Sequence, residues 1–355
     1  MNRKWRVAIL GLGHWYSAYG LARSLREYPR AQLVAAAWTN AEQLAEFART
    51  FGVAPYSSYD DLLAREKVDI VHIAAPVSEI ADLAIASARA GKHLIVGKPI
   101  AMDLATADRM VSAVDAAGIT CVAFEGQIRL RFAALKRRVE AGEIGDVIVL
   151  HQTSRWSIAE DWHRSGTPGW FADPRKVPGG AFIDEGIYWI DLFRWLSASD
   201  VVSVEAKVGN LVHTNIAVED WGMATFTMAN GIIATLEASW TINAPRRSGP
   251  SPKQNSVVRL EVVGSRGEII EQWFRDPGRA VLAAGAEHWI FERAEDPFAQ
   301  QTPALLDYLI DCIERKTPPS LTIQDAHRSL AVALAAYQSA REGHAVRLAP
   351  PFEPR

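Results

Sequence analysis

Trp5-Arg6-Val7-Ala8-Ile9-Leu10-Gly11-Leu12-Gly13 is the stretch that decides the fold. Its apolar residues are continuous rather than alternating, the pattern of a strand covered on both faces, as in a parallel sheet. It runs directly into two glycines, and helical periodicity takes over near residue 16. The same rhythm repeats downstream. Strand patterns recur at Gln32–Trp38, Asp69–Ala74, His93–Val96 and Thr120–Phe124, with helical patterns near 16–28, 41–51, 79–90 and 103–117 between them. Asp103 stands where an N-cap is needed, and Gly118 where that helix must stop. Residues 1–125 are therefore expected to form an α/β domain on a doubly wound parallel sheet.

The texture changes beyond residue 125. A helix near 131–142 ends at Gly142, and a strand follows at Val147–Thr153. An aromatic, loop-like stretch then leads to a helix in the 180s. Later strands alternate, with Val258, Leu260 and Val262 against Arg259 and Glu261, as in a sheet with one wet face. Ala229-Asn230-Gly231 reads as a hairpin turn, and the Pro-, Ser- and Arg-containing stretch 244–256 as an exposed loop. Helices near 301–315 and 323–342 close the chain. Residues 126–355 are expected to form a second α/β domain, an open and mainly antiparallel sheet with helices on one face.

Composition excludes several classes. A chain of 355 residues is too long for one ordinary core, and a net charge of -3 lacks the basic excess of a nucleic-acid binder. No apolar run is long enough for a membrane span. The apolar run after Arg6 is short, lacks a small-residue cleavage site and enters glycines, so it reads as a strand rather than a secretion signal. Cys121 and Cys312 have no ligand or redox spacing, which fits a reducing cytoplasm. His151, His163, His213 and His288 lack metal-ligand spacing, and no metal is expected.

Gly11 and Gly13 sit at the strand-to-helix turn of the first βαβ unit. The first glycine allows the tight turn; the second lets a pyrophosphate approach the helix N-terminus, opened here by His14 and Trp15. This is a Rossmann-type signature for a nicotinamide dinucleotide. The third glycine position is Tyr16, which must point away from the helix–strand contact. Strand two ends in Ala37-Trp38-Thr39-Asn40, without the acid that usually meets the ribose hydroxyls. Repulsion of a 2′-phosphate is then absent, so both NAD and NADP fit, and Thr39 and Asn40 can hydrogen-bond either.

In Gly179-Gly180-Ala181-Phe182-Ile183-Asp184-Glu185-Gly186-Ile187-Tyr188-Trp189-Ile190-Asp191, helical spacing sets Asp184, Tyr188 and Asp191 on one polar stripe. With Lys98 of Gly97-Lys98-Pro99, they supply a carboxylate, a phenol and an ammonium, the groups that proton transfer to or from a hydroxyl requires. Two plainer readings stand beside this: Asp184 as a helix cap, and Tyr188 as a half-buried aromatic.

Taken together, the chain resembles the glucose–fructose oxidoreductase / inositol dehydrogenase (Gfo/Idh/MocA) family over nearly its whole length. The likeness rests on Gly11-Leu12-Gly13, Ala75-Pro76, Ala90-Gly91-Lys92-His93 running into Gly97-Lys98-Pro99, and Gly179-Gly180-Ala181 followed by Asp184. Glu219-Asp220, Gly264-Ser265-Arg266-Gly267 and Ser339-Ala340-Arg341-Glu342-Gly343 add to it. It implies a dinucleotide-binding domain with Ala75 and Pro76 beside the cofactor, hydride exchange with a small-molecule sugar or polyol, and a homo-oligomer (dimer or tetramer) formed through the open sheet. By position, Lys98 matches the family's Glu-Lys-Pro lysine and Asp184 the aspartate after the glycines. Tyr188 takes the place usually held by histidine, as in the glucose–fructose oxidoreductase and dihydrodiol dehydrogenase branches. The chain departs from the pattern at Gly97, where a glutamate is usual, and at Val77 and Ile80, where Asn and His are usual.

The resemblance makes Tyr188 the proton-transferring residue. Lys98 favours its phenolate and stabilises charge on the substrate oxygen, and Asp184 orients the substrate. Asp191 either contacts substrate or supports the helix by pairing. Trp156 and His163, in a loop mixing aromatics with hydrogen-bonding groups, are candidate sugar contacts, while Trp170 and Phe171 read equally well as packing. Two rival functions stand beside the dehydrogenase: an NAD-dependent glycosidase acting by transient oxidation and elimination, and a non-catalytic NAD(P)-sensing regulator.

Overall fold

The computed structural model describes residues 4–158, 167–242, 256–273, 277–293 and 301–349. They divide into two compact units. The first holds residues 1–127, 175–177 and 300–330; the second holds 128–174, 178–299 and 331–355. Among the described residues no helix is long and apolar enough to cross a membrane.

The first unit alternates β1 (Trp5–Leu10), α1 (Trp15–Ser24), β2 (Ala31–Ala37), α2 (Ala41–Phe51), β3 (Ala54–Tyr56), α3 (Tyr59–Arg65), β4 (Ile70–Ile73), α4 (Val77–Arg89), β5 (His93–Val96), α5 (Leu104–Ala117) and β6 (Cys121–Ala123). The strands pair in parallel in the order β3-β2-β1-β4-β5-β6. The order reverses at β1, and a doubly wound sheet binds ligands at such a switch point. Residues Val7 to Leu10 are wholly buried, as the continuous apolar pattern requires. The helix ends are locally encoded. Asn40, Ser58 and Asp103 each accept an N–H from the first turn of the helix they precede, and Gly52 and Gly118 close α2 and α5 in the left-handed conformation.

A single boundary near residue 125 does not describe the chain. The helix α8 (Gln301–Arg315) belongs to the first unit and packs on α1. Arg30 reaches Asp307, Asp311 and Glu314 at 3.0, 2.7 and 3.0 Å, and the Trp5 indole donates to Glu314. The final helix α9 (Ile323–Glu342) contributes its residues up to Leu330 to the first unit and the remainder to the second.

In the second unit, α6 (Gln127–Glu140) and α7 (Ala181–Ser197) accompany strands β7 (Val147–Arg155), β8 (Val201–Gly209), β9 (Trp221–Met228), β10 (Ile233–Ser239), β11 (Val257–Gly264), β12 (Glu268–Trp273), β13 (Gly278–Leu282), β14 (Ile290–Arg293) and β15 (Val346–Arg347). Their order is β14-β13-β12-β11-β7-β10-β9-β8-β15. β7 and β10 run parallel; the other pairs are antiparallel. Burial alternates along β9 and β11, so one face carries the core. The helices lie on that face: Phe132 of α6 stacks on Trp273, Phe182 of α7 fills the space above Gly222, and Ser339 of α9 accepts the Ala206 amide.

Asp220 is the most deeply buried acid of this unit and organises the connection between β8 and β9. Its carboxylate accepts the amides of Leu211, Val212 and His213 at 2.8, 2.8 and 2.6 Å, with no accessible surface left on the residue. Replacing Asp220 by Ala leaves three amides without an acceptor, which costs about 3 kcal/mol of stability. Urea unfolding should show that loss in Asp220→Ala and an intermediate loss in Asp220→Asn, which keeps one oxygen.

Candidate active site

The glycine turn of the first unit is set by space as well as by handedness. Gly11 has φ +87°, and a Cβ there would lie 2.7 Å from the backbone of Ala75. Its amide donates to Ala37 at 2.8 Å, closing the turn onto β2. The Gly11 and Ala75 motifs, 64 positions apart in sequence, thus touch. The helix α1 then starts at Trp15 without a side-chain cap. Tyr16 is half-buried with its ring against His14, and the residues buried beneath the helix are Ser17, Ala18, Leu21 and Ala22. Small residues one and two positions later therefore do what the third glycine does in the usual signature. A close-packed turn opening a helix N-terminus fits a dinucleotide pyrophosphate.

At the end of β2, Thr39 and Asn40 are exposed. Asn40 spends its side-chain oxygen on capping α2 through the Gln43 amide at 3.0 Å. Gln43 accepts the Trp38 indole N–H at 2.8 Å and donates to the Leu12 carbonyl at 3.4 Å, tying the glycine turn to the strand end. Sequence reading passed over Gln43, because only the folded chain shows that it bridges two loops.

His14 has its amide committed to the Ala74 carbonyl at 2.8 Å and its imidazole turned inward, 2% exposed. Nδ1 of His14 lies 2.9 Å from the Ser17 hydroxyl, and Nε2 of His72 on β4 lies 3.2 Å from the same oxygen. Ser17 donates to the His14 carbonyl at 3.1 Å, which leaves its oxygen to accept an N–H from each ring. Lys98 is also 2% exposed. Burial, then the Lys98 charge, then His72 hold the His14 imidazole well below its ordinary pKa; burial brings His72 down to about 4. Both rings are neutral at neutral pH.

The two departures from the usual pattern around Lys98 face one another. A Cβ on Gly97 would lie 3.0 Å from Cδ1 of Ile80, and Ile80 is 1% exposed. A side chain at 97 would thus press on the tip of Ile80 on α4, so the two positions that depart from the pattern are spatial neighbours.

In the second unit, α7 carries Asp184 in its first turn and Tyr188 one turn later; Asp184 is buried and Tyr188 half-buried. Asp184 is not the cap of its helix. The amides at the start of α7 go to Glu219 and Tyr337: Gly180 and Phe182 donate to the Glu219 carboxylate, Ala181 to the Glu219 carbonyl and Ile183 to the Tyr337 hydroxyl. Asp191, 2% exposed, is gripped by the Arg129 guanidinium through both oxygens, with one contact at 2.6 Å, and Arg194 pairs with Asp200 at 2.8 Å. That geometry fits the supporting role for Asp191 rather than the substrate contact.

Trp156 is half-buried, and its indole donates to Ser154 at 2.8 Å, on the same strand face. Phe171 is buried and stacks on Trp170 with ring centres 3.9 Å apart, which is a packing arrangement. His163 lies outside the described residues, as does the loop 244–255. Lys98 belongs to the first unit; Asp184 and Tyr188 belong to the second.

Comparison with known proteins shows the family. Residues 5–124 match the sequence model described as "Oxidoreductase family, NAD-binding Rossmann fold", and residues 132–270 match that of the GFO/IDH/MocA C-terminal domain. The chain is 29% identical over 358 residues to scyllo-inositol 2-dehydrogenase (NAD(+)) of Bacillus subtilis, covering 98% of this chain and 97% of that protein. It is 26% identical to the myo-inositol 2-dehydrogenase of Thermotoga maritima, covering 97% and 98%. Among solved structures, the aldose-aldose oxidoreductase of Caulobacter crescentus complexed with glycerol superposes with a TM-score of 0.80 at 25% identity, over 98% of this chain and 100% of that one.

The buried imidazoles give stability a pH dependence of known sign. His72 ionises near 6.5 when unfolded and at about 4 when folded, so the unfolded chain binds the extra proton between those values. Its contribution is complete above pH 6.5 and is lost as the pH falls towards 4, amounting to about 3 kcal/mol. Chemical unfolding across that range should show a flatter pH profile for His72→Gln, which keeps a nitrogen for Ser17 without a titrating ring.

Proposed function

Because the chain belongs to the Gfo/Idh/MocA family of oxidoreductases, we propose that it moves a hydride between NAD or NADP and a carbinol or ketone carbon of a cyclic polyol or sugar. The observation that carries this reading is the placement of Asp184 and Tyr188 one turn apart on α7, in a chain whose Rossmann unit buries Lys98 near His14 of the glycine turn. When bound, the nicotinamide accepts or returns the hydride. The chain supplies the rest. Tyr188 takes the hydroxyl proton as the carbonyl forms and returns it in the reverse direction. Lys98 stabilises the negative charge that develops on the substrate oxygen, and the neutral state of His14 and His72 concentrates that charge on the lysine. Asp184 accepts a hydrogen bond from a substrate hydroxyl and fixes which carbon presents its hydrogen.

The relatives named for inositols support a ring bearing several hydroxyls as the substrate class, and an exposed strand end at Thr39-Asn40 without a carboxylate suits either cofactor. Incubation with NAD or NADP and a panel of inositols and aldoses should raise the near-ultraviolet absorbance of the reduced nicotinamide. Tyr188→Phe should lower kcat by about a hundredfold or more while leaving cofactor affinity unchanged. Unchanged turnover in that variant would refute the assignment. Product without net cofactor reduction would favour the glycosidase, and cofactor binding with no turnover across the panel would favour a sensor.

The same family reading makes the protein a homo-oligomer through its open sheet. The helices lie on one face of that sheet, and the other face presents Phe291, Met223 and Ile233, which are 80%, 47% and 37% exposed. Cross-strand pairing sets Phe291 in register with Ala280, Ile270, Glu261 and His151 in one row across five strands. A dimer or tetramer buries this row, whereas a monomer leaves it to water. Sedimentation velocity should give a dimer or tetramer for the wild type, and Phe291→Glu with Ile233→Lys should shift it towards monomer.

A further inference from the structure

The glycine pair ahead of α7 marks a clamp that the proposed chemistry does not itself require. Gly180 has φ -100°, so handedness is not the reason for a glycine there. Space is. A Cβ on Gly179 would stand 2.0 Å from the Tyr337 hydroxyl oxygen, and one on Gly180 would stand 2.0 Å from the Glu219 carbonyl oxygen. Both glycines exist to let these two residues reach the start of the helix.

What they reach is the set of amides that a helix cannot satisfy from within. The Glu219 carboxylate accepts from Gly180 at 2.9 Å with each oxygen, from Phe182 at 3.1 Å and from the Tyr337 hydroxyl at 2.6 Å. The Glu219 carbonyl accepts from Ala181 at 3.0 Å, and Tyr337 accepts from Ile183 at 3.2 Å. Four consecutive amides, 180 to 183, are thereby engaged. The next amide, that of Asp184, donates to the Gly180 carbonyl at 3.0 Å and begins the helical ladder. Glu219 and Tyr337 are 8% and 9% exposed. Burial, and then the neighbouring Glu219 charge, push the Tyr337 phenol well above its ordinary pKa, which keeps the proton on Tyr337 and the acceptor role on Glu219.

An aspartate in the first turn of a helix is ordinarily drawn to the amides at the helix end, since both the hydrogen bonds and the helix dipole favour it there. We propose that Glu219 and Tyr337 act as positioning residues: by occupying all four amides they release Asp184 from capping and fix its backbone for contact with substrate. This rests on the dehydrogenase reading of Asp184. It also explains why a buried acid and a buried phenol, 118 positions apart, meet at a helix end where a simple Ser or Asp cap would suffice for stability.

The test uses the full-length protein with NAD. Hydrogen exchange of Tyr337→Phe should show faster exchange at the amides of Phe182 and Ile183, with the C-terminal half of α7 unchanged. With the best substrate of the inositol and aldose panel, Tyr337→Phe and Glu219→Gln should each lower kcat about ten- to a hundredfold with unchanged cofactor affinity. In an Asp184→Asn background, Tyr337→Phe should cause little further loss, because the effect passes through Asp184. Unaltered exchange at 182 and 183, or losses from Tyr337→Phe and Asp184→Asn that simply multiply, would overturn the proposal. If Asp184→Asn itself retains full turnover, the reading of the site fails instead, and the exchange measurement still decides whether the clamp exists.

Discussion

A helix begins with amide hydrogens that no carbonyl of its own can take, and this constraint shapes both halves of the protein. Two helices here follow a glycine-containing turn, and they answer the constraint in opposite ways. α1 starts at Trp15 without a side-chain cap, directly after the turn that Gly11 closes onto Ala37. An anion held at this helix end is the role proposed for it. α7 starts with every one of its leading amides engaged from within, by Glu219 and Tyr337. In the proposed reading the first helix end receives the cofactor and the second holds Asp184 in place, a division that suits a reaction in which one component arrives and leaves while the side chains stay fixed.

Local signals in the sequence carried most of the first unit, because a parallel sheet advertises itself by unbroken apolar runs and several of its helices by their caps. Asp103 and Gly118 were readable as the start and stop of one helix, and both take those roles. The three-residue strand Ala54–Tyr56 and the helix Tyr59–Arg65 escaped notice, since each is too short to show a period. The return of residues 301–315 to the first unit was invisible for another reason. It depends on Arg30 meeting three acids 277 to 284 positions away, and nothing in the helix's own sequence reveals that partner.

The candidate site divides in the same way. Asp184 and Tyr188 were legible because helical spacing is a local property. Glu219 was visible only as part of a motif without a purpose, since its partners lie 39 and 118 positions away. Asp191 shows the converse limit. It shared the spacing of its neighbours, yet Arg129 on another helix claims its carboxylate. Periodicity assigns a residue to a face, but it does not say what that face meets.

The environment of Lys98 is where the chain departs furthest from its family pattern, and the departure is physically coherent. Glycine at 97 and isoleucine at 80 are neighbours, a Cβ on Gly97 standing 3.0 Å from Cδ1 of Ile80, so an apolar contact occupies the place of two polar residues. His14 and His72 lie in this neighbourhood, each with one ring nitrogen on the Ser17 hydroxyl, and both are held neutral, burial being the leading cause. The role proposed for Lys98, stabilising charge on a substrate oxygen, asks only that these rings add no second positive charge. Imidazoles held neutral at 14 and 72 are compatible with the role proposed for Lys98.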